Sequence, residues 1–543
     1  MSTGKWFGAA AAVCVPAVAV MAIGARNAVL GSESITAGST IVHAERSGIR
    51  FGTQALSGRV NLVASDTGLR WRILGVTGWR QATSRVLLSG WDTTRLSDGR
   101  YFLQLEQGRG ARTQVLFVRN YTYLNPEMEA NASAGLERRS SDGRAVVGVF
   151  RRRSYRPGET AVLDLWHRYP SVQIEVLHVG PEEQLTLGNE TMEGVSVAGP
   201  FRVAGDRGSV HIRIGGWESG LYTARMTSGR KVGFAPFIVR PKRLGLQPVA
   251  VVEPTNTWQA YNFRDADGDG KPDTWYYWWG RRPTVDLLRP YMDRGVPPHF
   301  RKNDLTFIRW LARTGRKVDM LAQEDIERVS GDRLSQLYRL IIFPGHHEYV
   351  TEAEYDAVSR YRNLGGHLAF LSANNFFWRV NRVGNRLNRI GLWRDLGRPE
   401  SALVGVQYFT WNQGKFGARP YDIVGADHAL WLFASTGLEN GDRFGFFGTE
   451  ADRVTPASPA GLHVLATISH IFNARHSASM TYYESPSGAR VFAAGAFTLA
   501  GPHVRCAGIA RFLANLWDTL AGEPSEERYA QADLGSCPYT TGE

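Results

Sequence analysis

Apolar and polar positions fall into two textures along this chain. From residue 40 to 122 short alternating segments are broken by turn signals, as in Val60-Asn61-Leu62-Val63-Ala64, Arg70-Trp71-Arg72-Ile73-Leu74 and Tyr101-Phe102-Leu103-Gln104-Leu105. Strict alternation buries one face of a strand, and Ser97-Asp98-Gly99 supplies hairpin punctuation. Regular spacing of this kind predicts a β-sandwich of immunoglobulin or fibronectin type. Residues 123–143 are polar and strand-poor and read as a linker. A second alternating set fills 144–242, including Ala145 to Val149, Val162 to Leu165, Val172 to Val176, His211 to Ile214 and Tyr222 to Arg225, and predicts a second sandwich.

Past Pro241 strands alternate with helical stretches. Val249 to Val252, Lys317 to Leu321, Leu340 to Phe343 and Leu368 to Leu371 are short apolar runs of the kind buried on both faces of a parallel sheet. Asp304 to Arg313 fits an amphipathic helix. Thr351 with Glu354 has capping-box spacing before a helix through Arg362 that ends at Gly365-Gly366. Ala507 to Leu520 predicts a last helix. The expected fold is therefore multidomain: two N-terminal β-sandwiches, then an α/β doubly wound, mostly parallel-sheet domain over 245–525 and a tail at 526–543. Signals between Ala402 and Arg475 are mixed, and a lid over a site is one reading of that stretch.

With 543 residues, 43% hydrophobic and 21% charged, the chain is globular and long enough for several cores. The net charge of +12 is carried mainly by scattered arginines. Beyond Arg151-Arg152-Arg153 there is no basic cluster, which argues against nucleic acid as a partner. Lys5 ahead of an alanine- and valine-rich segment, Phe7 to Ala25, followed by Arg26, predicts a signal peptide or an N-terminal anchor within 1–30. The protein is then secreted or held at the cell surface, touching membrane through that segment alone. Export permits a disulfide between Cys506 and Cys537, with two separate thiols as the alternative.

The candidate chemistry gathers where strands end. Leu340-Ile341-Ile342-Phe343 runs into Gly345-His346-His347-Glu348-Tyr349. Leu368 to Leu371 runs into Ser372-Ala373-Asn374-Asn375, and Val249 to Val252 leads into Pro254-Thr255-Asn256-Thr257. Open α/β sheets bind ligands beyond the carboxyl ends of their strands. No G-x-S-x-G elbow and no H-E-x-x-H helix are present, which excludes the common serine hydrolases and zinc proteases. Carboxylate and phenolate oxygens suit hard, highly charged ions. A tyrosine of ordinary pKa, roughly 10, becomes a ligand near neutral pH when the metal strongly favours the phenolate, as ferric iron does. Separately, Asp265, Asp267, Asp269 and Asp273 alternate around Gly268 and Gly270 in the layout of a calcium loop, with Tyr276 where an EF-hand would place its closing glutamate.

Four motifs together, Thr257-Trp258-Gln259-Ala260-Tyr261-Asn262, Gly345 to Tyr349, Leu371 to Trp378 and Tyr482-Tyr483-Glu484 followed by Gly488 to Phe492, resemble the large subunit of N,N-dimethylformamidase in order and separation. The resemblance covers roughly residues 235–525. It implies a mononuclear ferric ion held by two tyrosines and a glutamate, and hydrolysis of a small amide. Residue by residue it assigns Tyr261 as one tyrosine ligand, Glu348 as the carboxylate, and Tyr276 as the second tyrosine, with Tyr277 beside it as the alternative. It further implies that His346 positions or deprotonates the water, Asn374 donates to the developing oxyanion, and Glu484 passes a proton to the leaving amine. Iron would polarise the carbonyl and lower the pKa of water. A small partner subunit or a homo-oligomer is also implied. Two other classes remain open: a non-catalytic, calcium-stiffened surface or binding protein, and a carbohydrate- or peptide-directed hydrolase using Trp275, Trp278 and Trp279 as sugar platforms.

Overall fold

The computed structural model describes residues 42–46, 49–51, 56, 59–118 (apart from 75, 94–98 and 109) and 145–522 (apart from 167–168, 184–185, 187–188, 205–207, 267–272, 277–283, 293, 413–417, 474 and 502–506). The expected leader, linker and tail, Asp267, Asp269, Tyr277, Trp278, Trp279, Cys506 and Cys537 lie outside the described residues.

The described chain is mainly sheet. In its first part, strands order as Ile49–Phe51, Val42–Arg46, Arg59–Ala64, Val86–Asp92 in one sheet, and as Arg80–Gln81, Arg70–Ile73, Gly99–Gln107, Gly110–Val118 in another. Alternation does the work here. Val60, Leu62 and Ala64 of one sheet and Trp71 and Ile73 of the other turn inward and meet Leu103, Leu105 and Leu116 in one buried cluster.

A second pair of sheets follows. Five strands run Ser154–Tyr155, Lys231–Val239, Gly220–Ser228, Ser171–His178, Val195–Ala204, and three run Ser209–Arg213, Thr160–Leu165, Gly148–Phe150. They share a core containing Phe150, Ile174, Tyr222, Met226 and Phe237. The strand expected from Ala145 starts only at Gly148.

The rest is organised by a nine-stranded sheet. Its first five strands, Asp319–Ala322, Val249–Glu253, Leu340–Phe343, His367–Phe370 and Arg490–Ala493, are parallel to one another. Successive residues serve opposite faces. Leu340 and Ile342 join a cluster with Ile308, Leu311 and Phe512, whereas Ile341 and Phe343 join one with Val358 and Tyr361. Helices cover both faces, which is why these strands read as unbroken apolar runs. The helix Glu352–Asn363 begins where Thr351 accepts the Glu354 N–H at 3.3 Å through its hydroxyl oxygen.

The expectation of a mostly parallel sheet needs correction. Beyond Arg490–Ala493 the order continues through Ala478–Glu484, His463–Ile468, Arg419–Ile423 and Arg443–Phe447, all antiparallel. The short turn between Glu484 and Arg490 permits a hairpin, whereas a parallel neighbour requires a long crossover. The stretch 402–475, unplaced from sequence, thus supplies three of the nine strands. It also carries Gln407–Trp411, which pairs antiparallel with Glu450–Arg453.

The second β region and this sheet share a core. Val179, Met192, Leu221, Phe234 and Ile238 belong to the same cluster as Leu305, Ile308 and Leu340. Polar ties reinforce the junction. Arg309 meets Glu182 at 2.5 Å with both side chains about 5% exposed or less, Arg153 meets Glu324, and Ser154 donates to Asp325 at 2.9 Å.

Candidate functional site

Three neighbouring parallel strands deliver their ends to one place. Val249–Glu253 leads into the short helix Thr255–Ala260, and Tyr261 sits at its carboxyl end. The buried Arg289 guanidinium fixes that end by donating to the carbonyls of Gln259 (2.7 Å), Asn262 (3.1 Å) and Arg264 (3.2 Å). The Thr274 hydroxyl donates to the Ala260 carbonyl at 2.6 Å, which brings the Tyr276 segment against the Tyr261 helix. The acidic loop is closed at its base, where Asp273 accepts the Ala266 N–H at 2.8 Å.

Leu340–Phe343 leads into Gly345 to Glu348. Glycine is required at 345, because a Cβ there would strike the Asp304 carboxylate. The loop is pinned from two sides. Thr257 Oγ1 accepts the Glu348 N–H at 3.1 Å, while the Glu348 carbonyl accepts from Trp378 (2.8 Å) and Phe377 (3.1 Å). His367–Phe370 leads into Ser372 to Asn375, where Asn374 (φ 55°) and Phe376 (φ 60°) adopt left-handed backbone. Asparagine tolerates that region; phenylalanine does so rarely and is held here by full burial against Phe343 and Phe370.

These supports converge two phenols, a carboxylate and an imidazole. Tyr276 donates to Glu348 at 3.0 Å and 3.2 Å, and the Tyr261 and Tyr276 rings lie 4.6 Å apart. His346 Nε2 stands 3.5 Å from Glu348 and 3.1 Å from Glu450. Glu348 and His346 are buried, whereas the two tyrosines are partly open. Burial, then the Glu348 charge, drives both phenols well above the usual tyrosine value. Burial likewise raises the Glu348 carboxyl despite the nearby imidazole. At His346 burial disfavours the imidazolium, but Glu450, Glu348 and Asp452 outweigh it and raise the value.

Asn374 adjoins this group through Asp452, whose carboxylate accepts the Asn374 N–H at 2.9 Å; its own Oδ1 is buried without a protein partner. Glu484 does not join them. It is exposed at the end of Ala478–Glu484, where it accepts from Tyr482 and pairs with Arg490 at 3.1 Å. Glu450 occupies the position beside His346 instead.

Glu450 and Asp452 were missed in the sequence, and the fully buried Tyr349 was read there only as part of the polar tip after Leu340–Phe343. A signal for the first two exists: Phe444 to Phe447 is an apolar run, and carboxylates follow at Glu450 and Asp452 with strand spacing. Among the described residues no group of three or more His, Cys, Asp or Glu side chains is arranged to hold a metal. Oxygen atoms in this group include those of Tyr261, Tyr276, Tyr349, Glu348 and Glu450.

A mixed sheet with acid and phenol groups at its parallel strand ends defines the class: an α/β scaffold with a phenol–carboxylate site. The chain belongs to the N,N-dimethylformamidase beta subunit-like family, whose C-terminal model matches residues 208–501. The N,N-dimethylformamidase beta subunits of Alcaligenes sp and Paracoccus aminophilus are each 28% identical over 189 residues, 34% of this chain and 24% of theirs. The match therefore spans about a quarter of the length of these relatives. Solved structures similar in part include a chimeric titin Z1Z2 tandem (14% identity, 35% of this chain, 93% of that one, TM-score 0.15). Another is the SGBP-B protein of a Bacteroides ovatus mixed-linkage glucan utilization locus (14% identity, 40% and 50%, TM-score 0.16). At such scores neither carries an argument.

Proposed function

We propose that this chain hydrolyses the C–N bond of a small linear amide at a ferric centre held by Tyr261, Tyr276 and Glu348. One observation carries the reading: two phenols and a carboxylate, all acidic groups, meet at buried strand ends beside the His346 imidazole. A hard, highly charged cation is the partner that such an oxygen set suits. When bound, iron would supply Lewis acidity toward the amide carbonyl. His346, braced by Glu450, takes a proton from the attacking water as its oxygen adds to the carbonyl carbon. Asn374 donates to the oxyanion. Glu450, which takes that proton from His346 across 3.1 Å, returns it to the nitrogen as the C–N bond breaks, releasing acid and amine, a role the exposed Glu484 does not fill.

In the same reading the two leading β regions are immunoglobulin- or fibronectin-like sandwiches, the chain is exported, and a partner subunit or second copy completes the assembly. Metal analysis and the visible spectrum of the purified protein test the site. Stoichiometric iron with a phenolate charge-transfer band, both lost in Tyr261→Phe and Glu348→Gln, is the expected result, followed by release of amine from small amides. Full metal occupancy in either variant sinks the ligand assignment.

A further inference from the structure

We propose that Tyr349 is a positioning residue that donates a hydrogen bond to the Tyr276 phenol oxygen and tunes it as a ligand; this rests on the iron reading above. Tyr349 is fully buried, and Tyr276 is the one hydrogen-bond partner of its hydroxyl among the described residues. A buried hydroxyl is costly without a partner, so this bond is a structural commitment.

Its direction follows from the neighbours. Tyr276 already faces both oxygens of Glu348, at 3.0 Å and 3.2 Å, and an ionised carboxylate accepts only. With Glu348 ionised, Tyr276 donates to it and keeps a lone pair for Tyr349, and as a phenolate ligand Tyr276 can only accept. The hydroxyls therefore run in one order, Tyr349 to Tyr276 to Glu348. When Tyr276 gives up its proton to hold a cation, Tyr349 still has one to donate.

Everything around Tyr349 holds that hydroxyl still. Its carbonyl accepts from Gln323 (3.1 Å) and Asn256 (3.2 Å), and its N–H donates to Thr257 (3.4 Å). Its ring lies 4.9 Å from that of Trp275, the residue before Tyr276. The Arg389 guanidinium sits between Trp275 and Trp378, 5.7 Å and 4.3 Å from their rings. Outer partners that orient metal ligands are commonly built this way.

Tyr349→Phe removes one oxygen and keeps the ring. The test compares it with the intact protein, both loaded with ferric iron, by metal content, visible spectrum and thermal melting. Loss of the donor makes the Tyr276 oxygen more electron-rich, so its charge-transfer band moves to longer wavelength. Iron affinity falls roughly ten- to a hundredfold, as is typical for lost outer-shell partners. Trp275→Phe, which disturbs the packing but leaves the hydroxyl, keeps the band in place. In a Tyr276→Phe background, adding Tyr349→Phe changes neither band nor affinity further. A coloured wild type with an unchanged Tyr349→Phe spectrum overturns the hydrogen bond alone, as does a Trp275→Phe shift equal to that of Tyr349→Phe. A colourless, iron-free wild type overturns the iron reading and this inference with it.

Discussion

The two β regions ahead of the mixed sheet read alike in sequence but are buried differently. In the first, Arg59–Ala64 alternates exposed or half-exposed residues with buried ones, and its core draws on residues 56–116 alone. In the second, Gly220–Ser228 and Lys231–Val239 are buried on both faces. Tyr222, Ala224 and Phe237 fill the region's own core, while Leu221, Phe234 and Ile238 join the cluster of the mixed sheet. One-sided burial makes a module; two-sided burial makes a layer of something larger. The family match beginning at residue 208, inside the second region, agrees with that difference.

The contrast can be broken by deletion, which should have the largest effect. A chain starting at residue 144 should retain the cooperative calorimetric transition of the remainder. One starting at 241 should lose it, because the sheet's apolar face is left bare; survival of the transition would show the shared core to be dispensable. Next in size is the junction ion pair. Arg309→Ala strands the buried Glu182 carboxylate and should cost about 3–5 kcal/mol in urea unfolding. Arg151→Ala, which opens an exposed pair with Asp164, should be undetectable in the same experiment. Leu62→Ala should cost about 2–5 kcal/mol, confined to the transition of the first region, since Leu62 is buried in that region's core alone.

The smallest effect is a pH dependence. Burial, and secondarily Lys317, lowers His178 to about 4, against roughly 6.5 in an unfolded chain. The unfolded state therefore binds the extra proton between those values, so stability is full above about 6.5 and falls as the pH drops toward 4. His178→Phe should flatten that part of a melting-versus-pH curve, and an unchanged slope would remove His178 as its source.

Much of the fold was legible because local rules agreed with the final packing. The Thr351 cap, the Asp304 to Arg313 helix and the apolar runs at Val249 and Leu340 each had one plausible use. The polar tips that follow those runs were legible for the same reason, and Tyr261, His346 and Glu348 do lie together. The antiparallel half of the sheet was not. Its strands between Arg419 and Ile468 are short, and their partners are set by tertiary hydrogen bonds rather than by periodicity. Glu450 and Asp452 were hidden with them. Glu484 misled because a motif places a residue along the chain, whereas its exposure depends on where the strand ends. Tyr482 lies buried in Ala478–Glu484, and Glu484, at the strand's end, is turned to solvent.

The strand Arg490–Ala493 pairs in parallel with His367–Phe370 on one side and antiparallel with Ala478–Glu484 on the other. It is the seam between the two halves of the sheet, and among the described residues it is the last strand in chain order. Until it is in place, the half carrying His346 and the half leading to Glu450 have no common backbone ladder. Assembly of the pocket thus waits on this strand and is governed by contacts far apart in sequence.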